Sequence, residues 1–336
     1  MRREIKEIPG AVEALISQGS GDIIAAAEAL RLLDPNVMVS VARGSSDHVC
    51  TYLKYVCELV LGLPVASVGP SVVSIWGASL KLNGAACVSV SQSGQSPDIV
   101  AMARGARLDG ALGVAITNDP RSPLASEAAH VLDIHAGPEH SVAATKTFVT
   151  SAVAALLLVA EWHKDPVLIR AIHDLPEVLE KATKVDWSQV GAAVGIASSL
   201  YTLGRGPGLA ISNEAALKFK EVCRIHAESY SSAEVLHGPV SIVQQGFPVL
   251  CFAAGDKVEA SVVEIADQIA AKGATVFVTS NMATRAGVIS HVRTGHPLAD
   301  PIALIVSFYG MVEAAAVARG VNPDQPRHLR KVTETI

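Results

Sequence analysis

The sequence predicts an α/β protein built from two tandem, doubly wound parallel-sheet domains, three-layer and flavodoxin-like, and three observations carry that prediction. Short apolar runs rich in β-branched residues alternate with helix-length segments, as in strand–helix–strand units that cover both faces of a parallel sheet. The turns after these runs are short and rich in glycine and serine. The units also recur along the chain at a nearly constant offset, the mark of an internal duplication.

Taken in order, Val37 to Val41 reads as a strand closed by Ala42-Arg43-Gly44 and followed by a helix over Asp47 to Leu59. The strand ending at Val88 to Val90 empties into Ser91-Gln92-Ser93-Gly94-Gln95-Ser96, after which Pro97 and Asp98 suit the first turn of a helix. A third strand ends at Ile116-Thr117-Asn118. The apolar run from Ala152 to Ala160 reads as a buried helix, about half the length needed to span a membrane. Beyond it, the charged, proline-containing stretch from Trp162 to Trp187 reads as a linker. The three strand ends then return: Gly206 lies 162 positions after Gly44, Ala253 lies 162 after Ser91, and Asn281 lies 163 after Asn118. The expected organisation is an N-terminal helical segment over 1–25, a first domain over 26–165, a linker helix over 166–190, a second domain over 191–320 and a tail over 321–336 that closes the active site.

Composition narrows the class of function. Half of the 336 residues are apolar, 18% are charged and the net charge is −5, which suits a large core and a small-molecule ligand and argues against a nucleic-acid surface. The opening MRREIKEIPGAVEALI lacks an apolar leader core, and no membrane span is read, so a cytoplasmic location is expected. Cys50, Cys57, Cys87, Cys223 and Cys251 are scattered, as expected of reduced core thiols. They do not cluster with the eleven histidines at ligand spacing, so no metal is expected.

The serine-rich loop has the makings of a phosphate site: hydroxyls, a glycine that permits close backbone approach, and a helix N-terminus behind them. In the second copy it becomes Ala253-Ala254-Gly255-Asp256, which lacks hydroxyls and adds a carboxylate, so one phosphate site per chain is expected. Glu214, Lys218 and Glu221 in SNEAALKFKEV are spaced to stack on one helical face, directly after a glycine-rich strand end, where carboxylates flanking an ammonium suit proton transfer between neighbouring carbons. The plain alternative is a solvated face with an ordinary Glu–Lys pair. His237, in the turn before Gly238-Pro239, suits acid/base work near neutral pH, or is simply structural. Glu139 and Ala143-Ala144-Thr145-Lys146 precede the apolar helix and either approach a ligand or mark capping by Thr145 or Ser141. Lys331, in the polar tail DQPRHLRKVTETI, would ordinarily be a solvated lysine.

Together these segments resemble the double sugar-isomerase (SIS) domain family, specifically the isomerase half of glucosamine-6-phosphate synthase and its stand-alone relatives. The carriers are Ser91-Gln92-Ser93-Gly94, Glu139 with Val142-Ala143-Ala144-Thr145-Lys146, the run GRGPGLAISNEAALKFKEVCRIHAESYSSAEVLHGP, and Asp324-Gln325-Pro326-Arg327 with Lys331. The resemblance implies that Ser91, Gln92, Ser93 and Ser96 hold a sugar 6-phosphate, that Ser45, Val142 and Glu139 line the sugar, and that Glu221 moves a proton between C1 and C2. It implies that His237 promotes ring opening, reaching into a neighbouring subunit of a homodimer, that Glu214 and Lys218 support the relay, and that Lys331 contacts the open-chain sugar. No cofactor is implied. Two departures stand out: Arg2 takes the place of the nucleophilic cysteine of the synthase's glutaminase domain, so no ammonia source is expected, and Ala144 and Ser96 replace a serine and a threonine.

ARGSSDH, LKFKEVCRIHAES, AEVLHGP and GHPLADPI look most like stand-alone glucosamine-6-phosphate deaminases. The expected reaction is therefore glucosamine 6-phosphate to fructose 6-phosphate plus ammonia. The competing expectations are an aldose–ketose isomerase, a deaminase or deglycase for another amino sugar phosphate, a synthase subunit with a separate amidotransferase partner, and a non-catalytic sugar-phosphate sensor.

Overall fold

The computed structural model describes residues 1–331, which form two compact units. One holds Ile8–Glu139 and Lys146–His173 together with Arg330 and Lys331; the other holds Met1–Glu7, His140–Thr145 and Asp174–Leu329. The chain opens with α1 (Arg2–Ala14) and α2 (Ser20–Leu33), joined by a π-helical turn over Leu15–Gly19.

The first sheet comprises β1 (Met38–Val41), β2 (Val65–Ser67), β3 (Ala86–Val90), β4 (Leu112–Thr117) and β5 (His130–Asp133). Its order is β2-β1-β3-β4-β5, with every pair parallel. Parallel pairing requires crossovers, supplied by α3 (Ser45–Val60), α4 (Ser71–Ser74), α5 (Pro97–Leu108) and α6 (Pro123–Ser126); α7 (Lys146–His163) and α8 (Pro166–His173) follow the last strand. Val39, Val41, Cys87, Ile99, Met102 and Leu124 meet in one buried cluster, each large apolar side chain contributing about 1.5–3 kcal/mol. The run read as a buried helix lies in α7, where every residue from Lys146 to Ala160 is buried.

The second unit carries α9 (Leu175–Ala182), α10 (Ser188–Gly195), β6 (Ser199–Gly204), α11 (Pro207–Lys218), β7 (His226–Ser231), β8 (Pro248–Cys251), α12 (Glu259–Ala270), β9 (Thr275–Val278), β10 (Gly287–Val288) and α13 (Asp300–Ala318). Its parallel sheet runs β7-β6-β8-β9-β10, which is the first sheet's order strand for strand. The duplication extends to the backbone: Gly44 (φ 55°, ψ −133°) and Gly206 (φ 58°, ψ −137°) share one left-handed conformation before α3 and α11.

Sequence periodicity found the three central strands of each sheet and missed the flanking ones. These include the two-residue β10, too short to show alternation, and the six-residue β7, whose polar composition hides it. The stretch expected as one linker helix holds α8, α9 and the start of α10. Another oversight concerns α13: its nineteen residues are long and apolar enough to cross a membrane, although 78% of its most apolar window is buried inside the structure. It packs against α9, α10 and α11, which explains its apolarity all round.

All five cysteines are buried, and burial pushes their thiols up, Cys87 to about 11 and Cys57 and Cys223 to about 12.

Two carboxylates tie distant segments together. Burial alone would raise the Glu4 carboxyl, but the hydroxyl and N–H of Ser141 and the N–H of His140 outweigh it and hold the group near 2. Burial likewise opposes ionisation of Asp267, and donors from Thr284, Arg285 and Ala286 again win, holding it well below the usual range. A depressed carboxyl stabilises the fold above its unfolded-state value and loses that contribution as pH falls towards the folded one. Urea midpoints should therefore decline as pH drops through the ordinary carboxylate range towards 2, and Asp267→Asn should flatten part of that slope.

Candidate active site

In a doubly wound sheet the winding reverses beside the first strand, and the loops leaving the two strands at that point diverge to open a crevice at their carboxyl ends. In the first sheet these strands are β1 and β3. The loop after β1 ends in Gly44, with Ser45 opening α3; the loop after β3 is Ser91 to Ser96. Topology thus puts Ser45 and the four phosphate candidates beyond the carboxyl ends of two neighbouring strands.

The serine loop is held from behind. Asn118 donates its N–H to the Gln92 carbonyl at 3.0 Å, and Leu124 donates to the Gly94 carbonyl at 3.1 Å. Gly94 sits at φ 61°, and a Cβ there would lie 2.1 Å from the Ser122 hydroxyl, so only glycine fits. Ser96 occupies the N-cap of α5 with extended backbone, yet its hydroxyl makes no capping bond. Asp98 puts a buried negative charge in that helix's first turn, unfavourable for an anion, but the Arg43 guanidinium bonds it at 2.7 and 2.9 Å and offsets the charge.

At the equivalent strand ends of the second unit the backbone donors are satisfied from within. Gly255 donates its N–H to Asp300 at 2.9 Å, Thr294 donates to the other oxygen of Asp300, and Arg293 lies 3.8 Å from that carboxylate. The sequence pointed to Asp256 as the intruding acid, but Asp256 accepts from Val258 within its own turn. The internal anion is Asp300, 45 positions beyond Gly255.

Glu214 and Lys218 lie on α11, and Glu221 lies in a π-helical turn over Phe219–Cys223 that continues it, rather than on the uninterrupted helix the spacing suggested. The side chains are not a solvated face. Glu214 and Lys218 are fully buried, with the Lys218 ammonium 3.3 Å from Glu214 Oε1 and hydrogen-bonded to Glu221 Oε2. Burial opposes the charge on Lys218, but the two carboxylates outweigh it and raise its pKa. Glu221 is the member with exposure, 18% of its side chain, and it lines an open cavity of about 540 Å³ with Leu217, Lys220, Arg224 and Arg327. Tyr309 of α13 donates to Glu214 Oε1 at 3.1 Å, a contact invisible to any local pattern.

The other candidates are placed as follows. Glu139 is buried; it accepts from the Thr147 N–H at 3.1 Å and the Thr147 hydroxyl at 2.7 Å, at the start of α7, and pairs with Lys331 at 2.7 Å. Lys331 is thereby docked rather than a free tail lysine. Val142 donates its N–H to the Asp324 carbonyl at 3.3 Å. His237 is exposed in the turn after a short 3₁₀ segment, Glu234–Leu236, and among the described residues it makes no hydrogen bond to the Glu214–Lys218–Glu221 cluster.

Two substitutions test this geometry. Gly94→Ala should cost on the order of 1–3 kcal/mol and weaken calorimetrically measured binding of inorganic phosphate, because both its dihedral and Ser122 oppose a side chain. Lys218→Met leaves two carboxylates without their shared counter-ion and should lower unfolding free energy in urea by about 3–5 kcal/mol; Lys218→Met with Glu214→Gln should recover part of the loss.

Comparison with known proteins places this architecture. The chain is 33% identical over 350 residues to glutamine–fructose-6-phosphate aminotransferase (isomerizing) of Pyrobaculum aerophilum, covering 98% of this chain and 56% of that one. It spans about half the length of the curated relatives it matches. A crystal structure from Silicibacter pomeroyi DSS-3, provisionally named a phosphosugar isomerase, superposes with a TM-score of 0.94 at 65% identity, covering 96% of this chain and 99% of that one. Glucosamine-6-phosphate deaminase from Thermotoga maritima shares the fold at a TM-score of 0.78 and 18% identity over 99% of both chains. The SIS domain model matches residues 31–161 and again 196–310, the two copies described above, and the chain belongs to the SIS domain family.

Proposed function

We propose that the chain is an enzyme that moves a proton between C1 and C2 of an amino sugar 6-phosphate and releases ammonia, with glucosamine 6-phosphate as substrate and fructose 6-phosphate as product. The observation that carries the reading is the buried Glu214–Lys218–Glu221 chain, whose one partly exposed carboxylate lines a cavity. Coupled, buried titratable groups with one acid open to a cavity mark a candidate functional site.

On this reading Ser91, Gln92, Ser93 and Ser96 hold the phosphate, Ser45, Val142 and Glu139 line the sugar, and His237 assists ring opening. Its exposure supports service to the site of a second copy in a homodimer. Glu221 takes the C2 proton of the open-chain aldose and returns it to C1, leaving an imine at C2. Water adds to that imine, ammonia leaves, and the 2-ketose remains. Lys218 stays charged throughout, held behind Glu221 and paired with both carboxylates, and Lys331, fixed by Glu139, contacts the open chain. The name carried by the 65% identical relative favours a second reading, aldose–ketose isomerisation without loss of nitrogen, which uses the same shuttle.

The test is to incubate the purified protein with glucosamine 6-phosphate, galactosamine 6-phosphate and glucose 6-phosphate and to measure ammonia and ketose phosphate. Equimolar ammonia and fructose 6-phosphate from the first is the expected result. Ketose without ammonia would shift the assignment to an isomerase, and binding without turnover of any of the three would overturn both readings. Glu221→Gln should abolish turnover while sugar-phosphate binding persists. Ser93→Ala should instead raise KM by roughly 10- to 100-fold, as expected for loss of one hydrogen bond to a charged group.

A further inference from the structure

Tyr309 stands outside every feature that the sequence singled out. It lies in the middle of α13, fully buried, and its hydroxyl donates to Glu214 Oε1 at 3.1 Å, the same oxygen that faces the Lys218 ammonium at 3.3 Å. The arrangement is a line of four groups: phenol, carboxylate, ammonium and the cavity-facing carboxylate of Glu221.

Charge balance along this line gives the phenol a role. With both acids ionised the three charged groups sum to −1. When Glu221 holds the substrate proton, Glu214 is the carboxylate left to balance a lysine that water does not reach. A proton that settled on Glu214 instead would leave the shuttle short of its counter-ion. Hydrogen bonding to the ionised form of an acid favours that form. We propose that Tyr309 is a positioning residue that keeps Glu214 an ionised carboxylate, so that Lys218 keeps a fixed counter-ion while Glu221 gives and takes the proton. This rests on the proton-shuttle reading given above.

Of the other ionisable groups on the elements packed against α11, Lys220 of the π turn is exposed, Asp300 of α13 accepts from Gly255 and Thr294, and the rest have partners away from Glu214. Tyr201 of β6 donates to the Pro239 carbonyl, Glu228 and Tyr230 of β7 bond each other, His226 of β7 meets Ser199, Cys223 of the π turn donates to the Val312 carbonyl, and Glu313 of α13 pairs with Arg2.

The deciding experiment is an infrared titration of the full chain, with the Glu214 carboxylate band assigned by its loss in Glu214→Gln. Tyr309→Phe keeps the ring beside Phe308 and removes only the hydroxyl. The Glu214 band should then convert to the protonated form at a pH about one unit higher than in the wild type, a tenfold change in proton affinity. The acidic limb of kcat/KM should move up by the same amount, which loss of packing alone would not cause. Should Tyr309→Phe unfold in acid, protein carrying 3-fluorotyrosine, a stronger donor, keeps the test open: its band should move to lower pH. Equal titration in wild type, Tyr309→Phe and fluorinated protein would overturn the proposal. The titration needs no turnover, so it decides the role of Tyr309 separately, and a wild type that acts on no sugar phosphate would overturn the functional reading alone.

Discussion

A parallel sheet whose winding reverses beside its first strand constrains where this chain can do chemistry. Strands that all run one way send their exits to one edge, and the reversal leaves a gap there that no crossover covers. The serine loop and Ser45 take up their places because β1 and β3 are neighbours that are not consecutive in the chain. Nothing about the loop's own composition would bring Ser45, 46 positions upstream of Ser91, to the same edge.

Duplication supplied that set of strand ends twice, and the two copies differ in what lies there. The left-handed glycine before the first helix survives in both, yet the second set has its backbone donor satisfied by Asp300 and its charge balanced by Arg293. Leaving that N–H unpaired would cost free energy on the order of a lost hydrogen bond, so the internal carboxylate of Asp300 stabilises this turn. The helix after β6 then carries the ionisable groups, buried where their interactions are strong and their desolvation has to be offset by one another.

What could be read from the sequence follows from how local each feature is. The central strands, the serine loop and the Glu214–Lys218–Glu221 spacing lie within short windows, and the structure places all of them near where the pattern put them. Long-range partners left no such trace. Tyr309 reaches Glu214 across 95 positions, Asp300 reaches Gly255 across 45, and Lys331 reaches Glu139 across 192. The burial of Lys218 was likewise hidden, because an i, i+4 pair looks the same on a wet face as on a dry one. α13 misleads in the opposite way: its composition would suit lipid, and only its packing shows a core helix.

The π turn over Phe219–Cys223 has a consequence for how this helix tolerates change. A π turn carries one residue more than the α turn it replaces, and such turns gather at functional sites. Here it works as a spacer. The stem up to Lys218 is locked by burial, while the phase of everything beyond it, beginning with Glu221, depends on that extra residue. The helix is therefore two rulers joined by a vernier: a substitution within either part keeps the residue count between them, whereas gaining or losing one residue at the joint would turn the acid away from its partner.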